Sequence, residues 1–202
     1  MNYDYMSKEK LIEILIQKDD MLRKLWGENK KLNYLASIDV MTGVLNRKSG
    51  LELLEREVKL ININDKNMVV CFVDVDRLKI INDAFGHEEG DKLLINVTSI
   101  LKNNIRKTDF VIRMGGDEFL VVFPETTMKE ANRVWYRILK RIEEINKNNE
   151  KYKLSISYGF YEYDNEIENK LTVSDLIRIA DAEMYKFKRK KEDLWHKCRK
   201  NK

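Results

Sequence analysis

Hydrophobic positions along the chain follow two periods, and the first to appear is that of a helix. From about Ser7 to Leu35, apolar residues recur at three- and four-residue steps, while charged residues occupy the outer positions. The stripe consists of Leu11, Ile14, Leu15, Met21, Leu22, Leu25, Leu32 and Leu35, interrupted by Lys18 and Glu28. Its length is roughly four heptads, which predicts a short coiled-coil-like helix. Such a stripe packs either on the rest of its own chain or on a second copy, and we favour the second copy.

The rest of the chain alternates helical patterns with short β-rich runs. Helical patterns are expected over residues 48–61, 88–105, 127–146 and 172–187, and strands over 68–76, 110–114, 118–123 and 153–160. Capping spacing opens the last two helices, at Thr127 with Glu130 and at Thr172 with Asp175. This order fits a ferredoxin-like βαββαβ core, an α+β fold in which helices pack on an antiparallel sheet. We therefore predict a helix over residues 1–37 and one domain over residues 38–202.

The stretch RMGGDEFLVVF, residues 113–123, places glycines and acids inside an apolar run. Gly115-Gly116 between two strands predicts a tight hairpin, because glycine adopts positive φ without steric cost. The turn would expose Asp117 and Glu118 at the edge of the sheet. Asp74 and Asp76 end an earlier strand and share one face of it. An acid at a strand end is commonly only solvated, but if the two strands are neighbours, Asp74 and Asp117 converge and need a hard cation such as Mg²⁺.

Composition and charge narrow the class of protein. Hydrophobic residues make up 43% and charged residues 36% of the chain, with one proline, which indicates a folded domain. The net charge of +4 comes from 38 basic and 34 acidic residues, a mixed surface that argues against a nucleic-acid binder. The basic end KFKRKKEDLWHKCRKNK is more simply solvated than bound to phosphates or an anionic membrane. Two distant cysteines and no bilayer-length apolar run predict a cytoplasmic protein without a transmembrane segment.

Several motifs together resemble the GGDEF domain family, the diguanylate cyclases. RMGGDEF resembles the family signature, DVMTGVLNR its opening motif, and VDVDRLKIINDAFGHEEGD its metal and guanine segment. SISYG and ADAEMYKFK resemble a later strand and the last helix, in family order from about Asp39 to Lys188. The resemblance implies a nucleotide-cyclase or palm-like sheet. It also implies the condensation of two GTP molecules into cyclic di-GMP with release of two pyrophosphates.

The resemblance also implies the site residues. Asp117 and Glu118 would be catalytic, with the choice of base left open between them. Mg²⁺, or Mn²⁺ in its place, would bind the carboxylates of Asp74 and Asp117 and the backbone carbonyl of Val75. The substrate-binding residues implied are Lys79, Asn82, His87, Asp91, Gly116 and Lys188. An aspartate such as Asp91 accepts hydrogen bonds from N1–H and the exocyclic amine of guanine, a pair of donors that adenine lacks. Without the resemblance, Asn82 could equally cap a turn and His87 could be an ordinary loop histidine.

Two further features bear on regulation and on affinity. Arg106 and Asp109 form an RxxD quartet at the family's spacing for the product-inhibition site, which would bind cyclic di-GMP. The chain departs from the family after Lys188, since Glu192 stands where a phosphate-binding arginine is expected. Arg189 and Lys190 are the candidate substitutes for that arginine. Leu78, where the family usually has phenylalanine, is a milder apolar exchange.

The family reaction needs two domains, because each holds one GTP. A homodimer joined by the amino-terminal helix would bring the two half-sites together. The leading prediction is therefore a product-inhibited diguanylate cyclase that is active as a dimer. The alternative is a catalytically silent module that senses GTP or cyclic di-GMP, and a purely structural coiled-coil adaptor would leave the acids unexplained.

Overall fold

The computed structural model describes residues 6–64, 66–164 and 171–200, with side chains described as far as residue 194. The chain divides into two compact units, Met1–Ile38 and Asp39–Lys202. No helix among the described residues is long and apolar enough to cross a membrane.

The first unit contains one helix, α1 (Lys8–Ser37), as its periodicity predicts. Ser7 caps the helix by accepting a hydrogen bond from the backbone N–H of Lys10 at 3.3 Å. None of residues 8–37, all of which the structure describes, is buried. Most of the apolar stripe is therefore exposed in the single chain: Leu11 and Ile14 are half-buried, whereas Leu22 and Leu32 each keep 65% of their surface.

The second unit is a five-stranded sheet with helices on both faces. Its elements are β1 (Leu45–Asn46), α2 (Arg47–Asn64), β2 (Asn67–Val75), α3 (Leu78–Phe85), α4 (His87–Asn104), β3 (Phe110–Gly115), β4 (Glu118–Phe123), α5 (Met128–Asn148), β5 (Ile156–Asp164) and α6 (Val173–Lys200). The strand order is β1-β3-β4-β2-β5. All neighbours are antiparallel except β1 and β3. The predicted α+β fold with its βαββαβ core is confirmed.

Alternation along the strands divides the buried side chains between two cores. Val69, Cys71 and Val73 of β2 pack in the core that includes residues of α4 and α5, whereas Met68, Val70 and Phe72 pack in the core with α2 and α6. Helix α6 lies so close to β5 that a Cβ on Gly159 would come within 2.0 Å of the backbone nitrogen of Met184. This packing places one face of α6 over the end of β2.

Some predicted details differ from the structure. The hairpin turn is formed by Gly116 and Asp117, because Gly115 still pairs with Glu118 after a register shift that follows Arg113. Gly116 has a positive φ of 46°. Helix α3 and the two-residue strand β1 were not predicted. Phe187 stays 37% exposed, although its ring contacts that of Tyr158 with 4.6 Å between centroids.

Candidate active site

Two acids at the end of β2 face two lysines of α6. Lys188 Nζ lies 2.7 Å from Asp74 Oδ1, and Lys191 Nζ lies 2.6 Å from Asp76 Oδ2. The acids are two residues apart on a strand, so they share a face, and the lysines are three apart on a helix, so they share a side. The prediction that Asp74 and Asp76 point to the same face is thereby confirmed. We call these four residues the acid–lysine ladder.

The Asp76 carboxylate is fully engaged by its neighbours. Ser157 Oγ donates to Oδ1 at 2.7 Å and Ser155 Oγ donates to Oδ2 at 2.5 Å. Lys191 also donates to Ser155 Oγ at 2.6 Å and to the carbonyl of Ile156 at 2.9 Å. Burial by itself would raise the pKa of Asp76, but hydrogen bonds from Lys191 and the two serines outweigh it and lower the pKa. Asp76 is therefore an anchor for α6, and both of its carboxylate oxygens accept hydrogen bonds.

The hairpin turn brings the signature acids beside β2. Asp74 lies directly opposite Glu118 in the antiparallel pairing of β2 with β4. The backbone N–H of Val75 donates to the carbonyl of Asp117 at 3.0 Å. The side chains of Asp117 and Glu118 are half-buried, not exposed as the turn position alone suggested. The condition set in the sequence analysis, that β2 and the GGDEF strand are neighbours, is met.

Arg113 secures the far side of this turn. Its Nη2 donates to the carbonyl of Gly116 at 2.9 Å, and its Nη1 pairs with Asp39 Oδ1 at 3.0 Å. The Arg113 and Asp39 side chains are only 14% and 24% exposed. One guanidinium therefore holds both the hairpin turn and the first residue of the second unit.

Negative charge predominates in the site. Burial raises the pKa of Asp74, and repulsion from Asp117 and Asp76 adds to it, so that the contact with Lys188 does not restore the usual value. Burial also raises the pKa of Glu118, together with the charges of Asp117, Asp181 and Asp74. Burial would lower the pKa of Lys188, but its bond to Asp74 outweighs that effect and raises it. The neighbouring acids add to the effect of burial on the pKa values of Asp74 and Glu118, and they favour the charged form of Lys188.

These residues fit a hard divalent cation that also binds a nucleotide. Within the described residues, no cluster of three or more His, Cys, Asp or Glu side chains is arranged to hold a metal by itself. Mg²⁺, however, usually binds through one or two carboxylates and completes its shell with substrate phosphates and water. Asp74 and Asp117 supply oxygen ligands of that kind.

The predicted guanine readers lie where α3 meets α4. Asn82 is half-buried, and its Oδ1 is buried without a hydrogen-bond partner among the described residues. A Cβ on Gly90 would come within 1.8 Å of that oxygen, so any larger residue at position 90 would displace the Asn82 side chain. His87 and Asp91 are exposed in the first turns of α4, and Lys79 is exposed on α3. An unpartnered buried oxygen costs free energy until a ligand supplies a donor.

A cavity of about 240 Å³ lies between the start of α3 and α6. Its lining consists of Asp76, Arg77, Ile80, Ser155, Lys188, Lys191 and Glu192. Arg189 and Lys190, the candidate substitutes for the missing arginine, are both exposed. Sequence reasoning passed over Lys191, although its three-residue spacing from Lys188 on a helix places both on one side.

The predicted product-inhibition residues, Arg106 and Asp109, form a turn by hydrogen-bonding to each other. Asp109 Oδ2 accepts the backbone N–H of Arg106 at 2.8 Å, while Oδ1 is buried without a partner among the described residues. Burial raises the pKa of Asp109. The Arg106 side chain is exposed and lines a cavity of about 490 Å³ that also includes Glu57 and Glu125. The structure keeps the pair adjacent at the end of α4, apart from the acid–lysine ladder.

Comparisons with known proteins agree with this architecture. The chain is 34% identical over 181 residues to the diguanylate cyclase DosC of Escherichia coli K12. The aligned region covers 87% of this chain and 38% of DosC. The chain thus spans well under half the length of that relative. The solved structure of the diguanylate cyclase SiaD with its activator SiaC, from Pseudomonas aeruginosa, matches with a TM-score of 0.72 and 28% identity, covering 90% of this chain and 68% of SiaD.

A second solved structure has the same fold. The coiled coil and GGDEF domain of DgcB from Caulobacter crescentus, in complex with c-di-GMP, matches with a TM-score of 0.76 and 22% identity. The match covers 89% of this chain and 94% of the DgcB chain, and at this identity it shows a similar fold. The family model described as diguanylate cyclase, GGDEF domain, matches residues 36–193, which include the hairpin, the acid–lysine ladder and the corner between α3 and α4. The chain therefore belongs to the GGDEF domain family of diguanylate cyclases.

Proposed function

We propose that this protein is an active diguanylate cyclase that condenses two GTP molecules into cyclic di-GMP and two pyrophosphates. The observation that carries the proposal is the arrangement at the end of β2, where the buried Asp74 lies opposite Glu118 of the hairpin and Lys188 Nζ lies 2.7 Å from its carboxylate. A site with surplus carboxylates beside a lysine-lined cavity suits a nucleotide triphosphate together with a divalent cation. A merely structural acid–lysine pair would not need the further acids at the hairpin.

Asp74, Asp117 and the carbonyl of Val75 are the proposed ligands for Mg²⁺ or Mn²⁺. When bound, a divalent ion supplies charge neutralisation at the phosphates and acidification of a hydroxyl. Lys188, which extends from α6 to Asp74, would also contact these phosphates and add a second positive charge. The chain's own residues thus position the triphosphate from both β2 and α6.

Guanine selection is assigned to the corner between α3 and α4. The unpartnered Oδ1 of Asn82 suits a donor from the base, and Asp91 is exposed where it can accept the N1–H and the exocyclic amine. His87 and Lys79 lie on the same two helices and complete the nucleotide contacts. Adenine would leave these acceptors unpaired, which favours GTP over ATP.

In the proposed reaction, the 3′-hydroxyl oxygen of each GTP attacks the α-phosphorus of the other. A new P–O bond forms, the bond between the α-phosphorus and its bridging oxygen to the β-phosphate breaks, and pyrophosphate leaves. Glu118 or Asp117 accepts the hydroxyl proton, since both carboxylates lie half-buried beside the hairpin turn. Gly116 allows the nucleotide to approach the hairpin without a side chain in the way.

Both half-reactions require two domains to face each other, and α1 is the proposed dimerising segment. Its exposed stripe, with Leu22 and Leu32 each 65% exposed, suits a second copy of the same helix. Linking the domains through α1 raises their effective concentration. Analytical ultracentrifugation should show a dimer for the wild type and a monomer for Leu22→Asp, and a wild-type monomer would count against this role.

Cyclic di-GMP is proposed to bind at Arg106 and Asp109 and to inhibit the enzyme. The exposed guanidinium can hold guanine or phosphate, and the unpartnered Oδ1 of Asp109 can accept from a guanine edge. Arg106→Ala should weaken inhibition by added cyclic di-GMP and leave the uninhibited rate unchanged.

A silent nucleotide sensor is the second candidate, and one observation favours it. Glu192 lines the cavity beside Lys188, which places a negative charge where a phosphate would lie. Incubation of the pure protein with GTP and Mg²⁺, followed by chromatography and mass spectrometry, separates the two candidates. Formation of cyclic di-GMP that is lost in Asp117→Ala and kept in the exposed-surface control Glu143→Ala supports the cyclase. Tight GTP binding without product supports the sensor.

A further inference from the structure

A carboxylate in the first turn of α4 is held by the segment that precedes β5. Lys151 Nζ lies 2.9 Å from Glu89 Oε2, and the Tyr152 hydroxyl donates to Glu89 Oε1 at 3.3 Å. Glu89 is only 15% exposed, and Lys92 Nζ approaches the same carboxylate at 3.6 Å. Both carboxylate oxygens are therefore occupied by residues more than 60 positions away in the chain.

The same two residues also contact the end of α3. The rings of Phe85 and Tyr152 have centroids 6.0 Å apart, and Lys151 Nζ lies 5.7 Å from the centre of the Phe85 ring. Phe85 and Glu89 stand on either side of Gly86, which links α3 to α4 with a φ of 87°. Lys151 and Tyr152 thus brace both sides of this turn. We call the four side chains Phe85, Glu89, Lys151 and Tyr152 the corner brace.

The braced turn determines how the proposed guanine readers face each other. Gly86 N–H donates to the carbonyl of Asn82 at 2.8 Å, and Gly90 packs directly on the Asn82 side chain. Asp91 follows Gly90 on α4. Any rotation of the start of α4 therefore changes the distance between Asn82 and Asp91, and the contacts of Glu89 oppose that rotation.

We propose that Glu89, held by Lys151 and Tyr152, is a positioning residue that sets the discrimination of the site for guanine over purines that lack the 2-amino group. The inference rests on the proposed function, because it takes a guanine nucleotide as the ligand of this corner. Discrimination between similar bases requires their polar partners to be fixed in place, since a mobile acceptor adapts to either ligand. Glu89 contributes this rigidity without touching the base.

The test compares binding of two nucleotides to the full chain. Isothermal titration calorimetry measures the dissociation constants of GTP and ITP analogues with a methylene bridge between the α- and β-phosphorus, which cannot release pyrophosphate. ITP differs from GTP only in lacking the 2-amino group. We expect Glu89→Ala to lower the preference for the GTP analogue by about threefold, the scale of a partly exposed ion pair. Tyr152→Phe should lower it less, since Lys151 still holds the carboxylate.

Glu88→Ala is the matched control, because Glu88 is the adjacent acid of the same helical turn and is exposed. It should keep the wild-type preference although it loses the same charge at the start of α4. Equal weakening of both analogues by Glu89→Ala, with the preference unchanged, would make Glu89 merely structural and would overturn the inference while leaving the proposed function intact. A wild-type protein that binds neither analogue would overturn both.

Discussion

Lys191→Met tests whether the acid–lysine ladder holds α6 to the sheet. Methionine keeps most of the length of the side chain but removes the ammonium that donates to Asp76, Ser155 and the carbonyl of Ile156. The Asp76 carboxylate, 10% exposed, would keep only its two serine hydroxyls. The variant therefore isolates the contribution of one positive charge at the end of β2.

The expected loss lies between the limits for buried and exposed pairs. Breaking a fully buried pair costs about 3–5 kcal/mol, whereas exposed pairs contribute about 0–1 kcal/mol. Lys191 is 41% exposed and Asp76 keeps two hydrogen bonds, so we expect a loss of about 1–2 kcal/mol. For a chain of this size, the melting temperature should fall by about 2–8 °C.

The effect should depend on pH in one direction. Because the pKa of Asp76 is lowered in the folded protein, its ion pair contributes stability above the unfolded value of about 3.9 and loses it as pH falls through the folded pKa. Thermal denaturation followed by circular dichroism should therefore show a difference between wild type and Lys191→Met that is full at neutral pH and shrinks below about pH 4. Lys190→Met, at the exposed neighbouring position, is the control. Equal melting temperatures for the two variants at neutral pH would refute the reasoning.

Three further predictions concern packing, metal and phosphate. Gly159→Ala should destabilise the protein by about 3 kcal/mol in urea denaturation, because the new Cβ meets backbone atoms of α6 that cannot move aside. The control Gly27→Ala, which has open space around it, should instead stabilise α1 by up to about 1 kcal/mol. Equal effects of the two substitutions would contradict this explanation. Asp74→Ala should abolish nucleotide-dependent Mn²⁺ binding measured by electron paramagnetic resonance, and retained binding would remove Asp74 from the metal site. Glu192→Arg should tighten binding of a GTP analogue by about tenfold, the scale of a gained charge-assisted contact, while the affinity for guanosine stays the same. An unchanged dissociation constant for the GTP analogue would place Glu192 outside the phosphate site.

Local sequence patterns determined much of the fold. The capping boxes at Thr127 and Thr172 form as their spacing predicts, with both partners in hydrogen-bond contact. Helix α3 was missed because it has only eight residues, although Leu78, Ile81 and Phe85 follow a helical step. The turn was placed one residue too early, since a register shift after Arg113 depends on how β3 pairs with β4 and not on glycine alone.

The site could be predicted only as far as its motifs reach. Asp74 and Asp117 were expected to converge on the condition that their strands are neighbours, and the antiparallel pairing of β2 with β4 meets that condition. Lys191 and the corner brace were not expected, since Asp76 and Lys191 are 115 residues apart and Glu89 and Lys151 are 62 apart. Such contacts arise from the packing of whole elements, and no short-range spacing specifies them.

The ladder gives the last helix a fixed rotational phase. A residue inserted between Lys188 and Lys191 would turn everything beyond it by about 100° and carry one ammonium away from its carboxylate. An insertion at this point should therefore destabilise the protein, whereas an insertion in a solvent-facing loop should be tolerated. The two ion pairs can therefore form together only when α6 keeps its present rotation relative to β2.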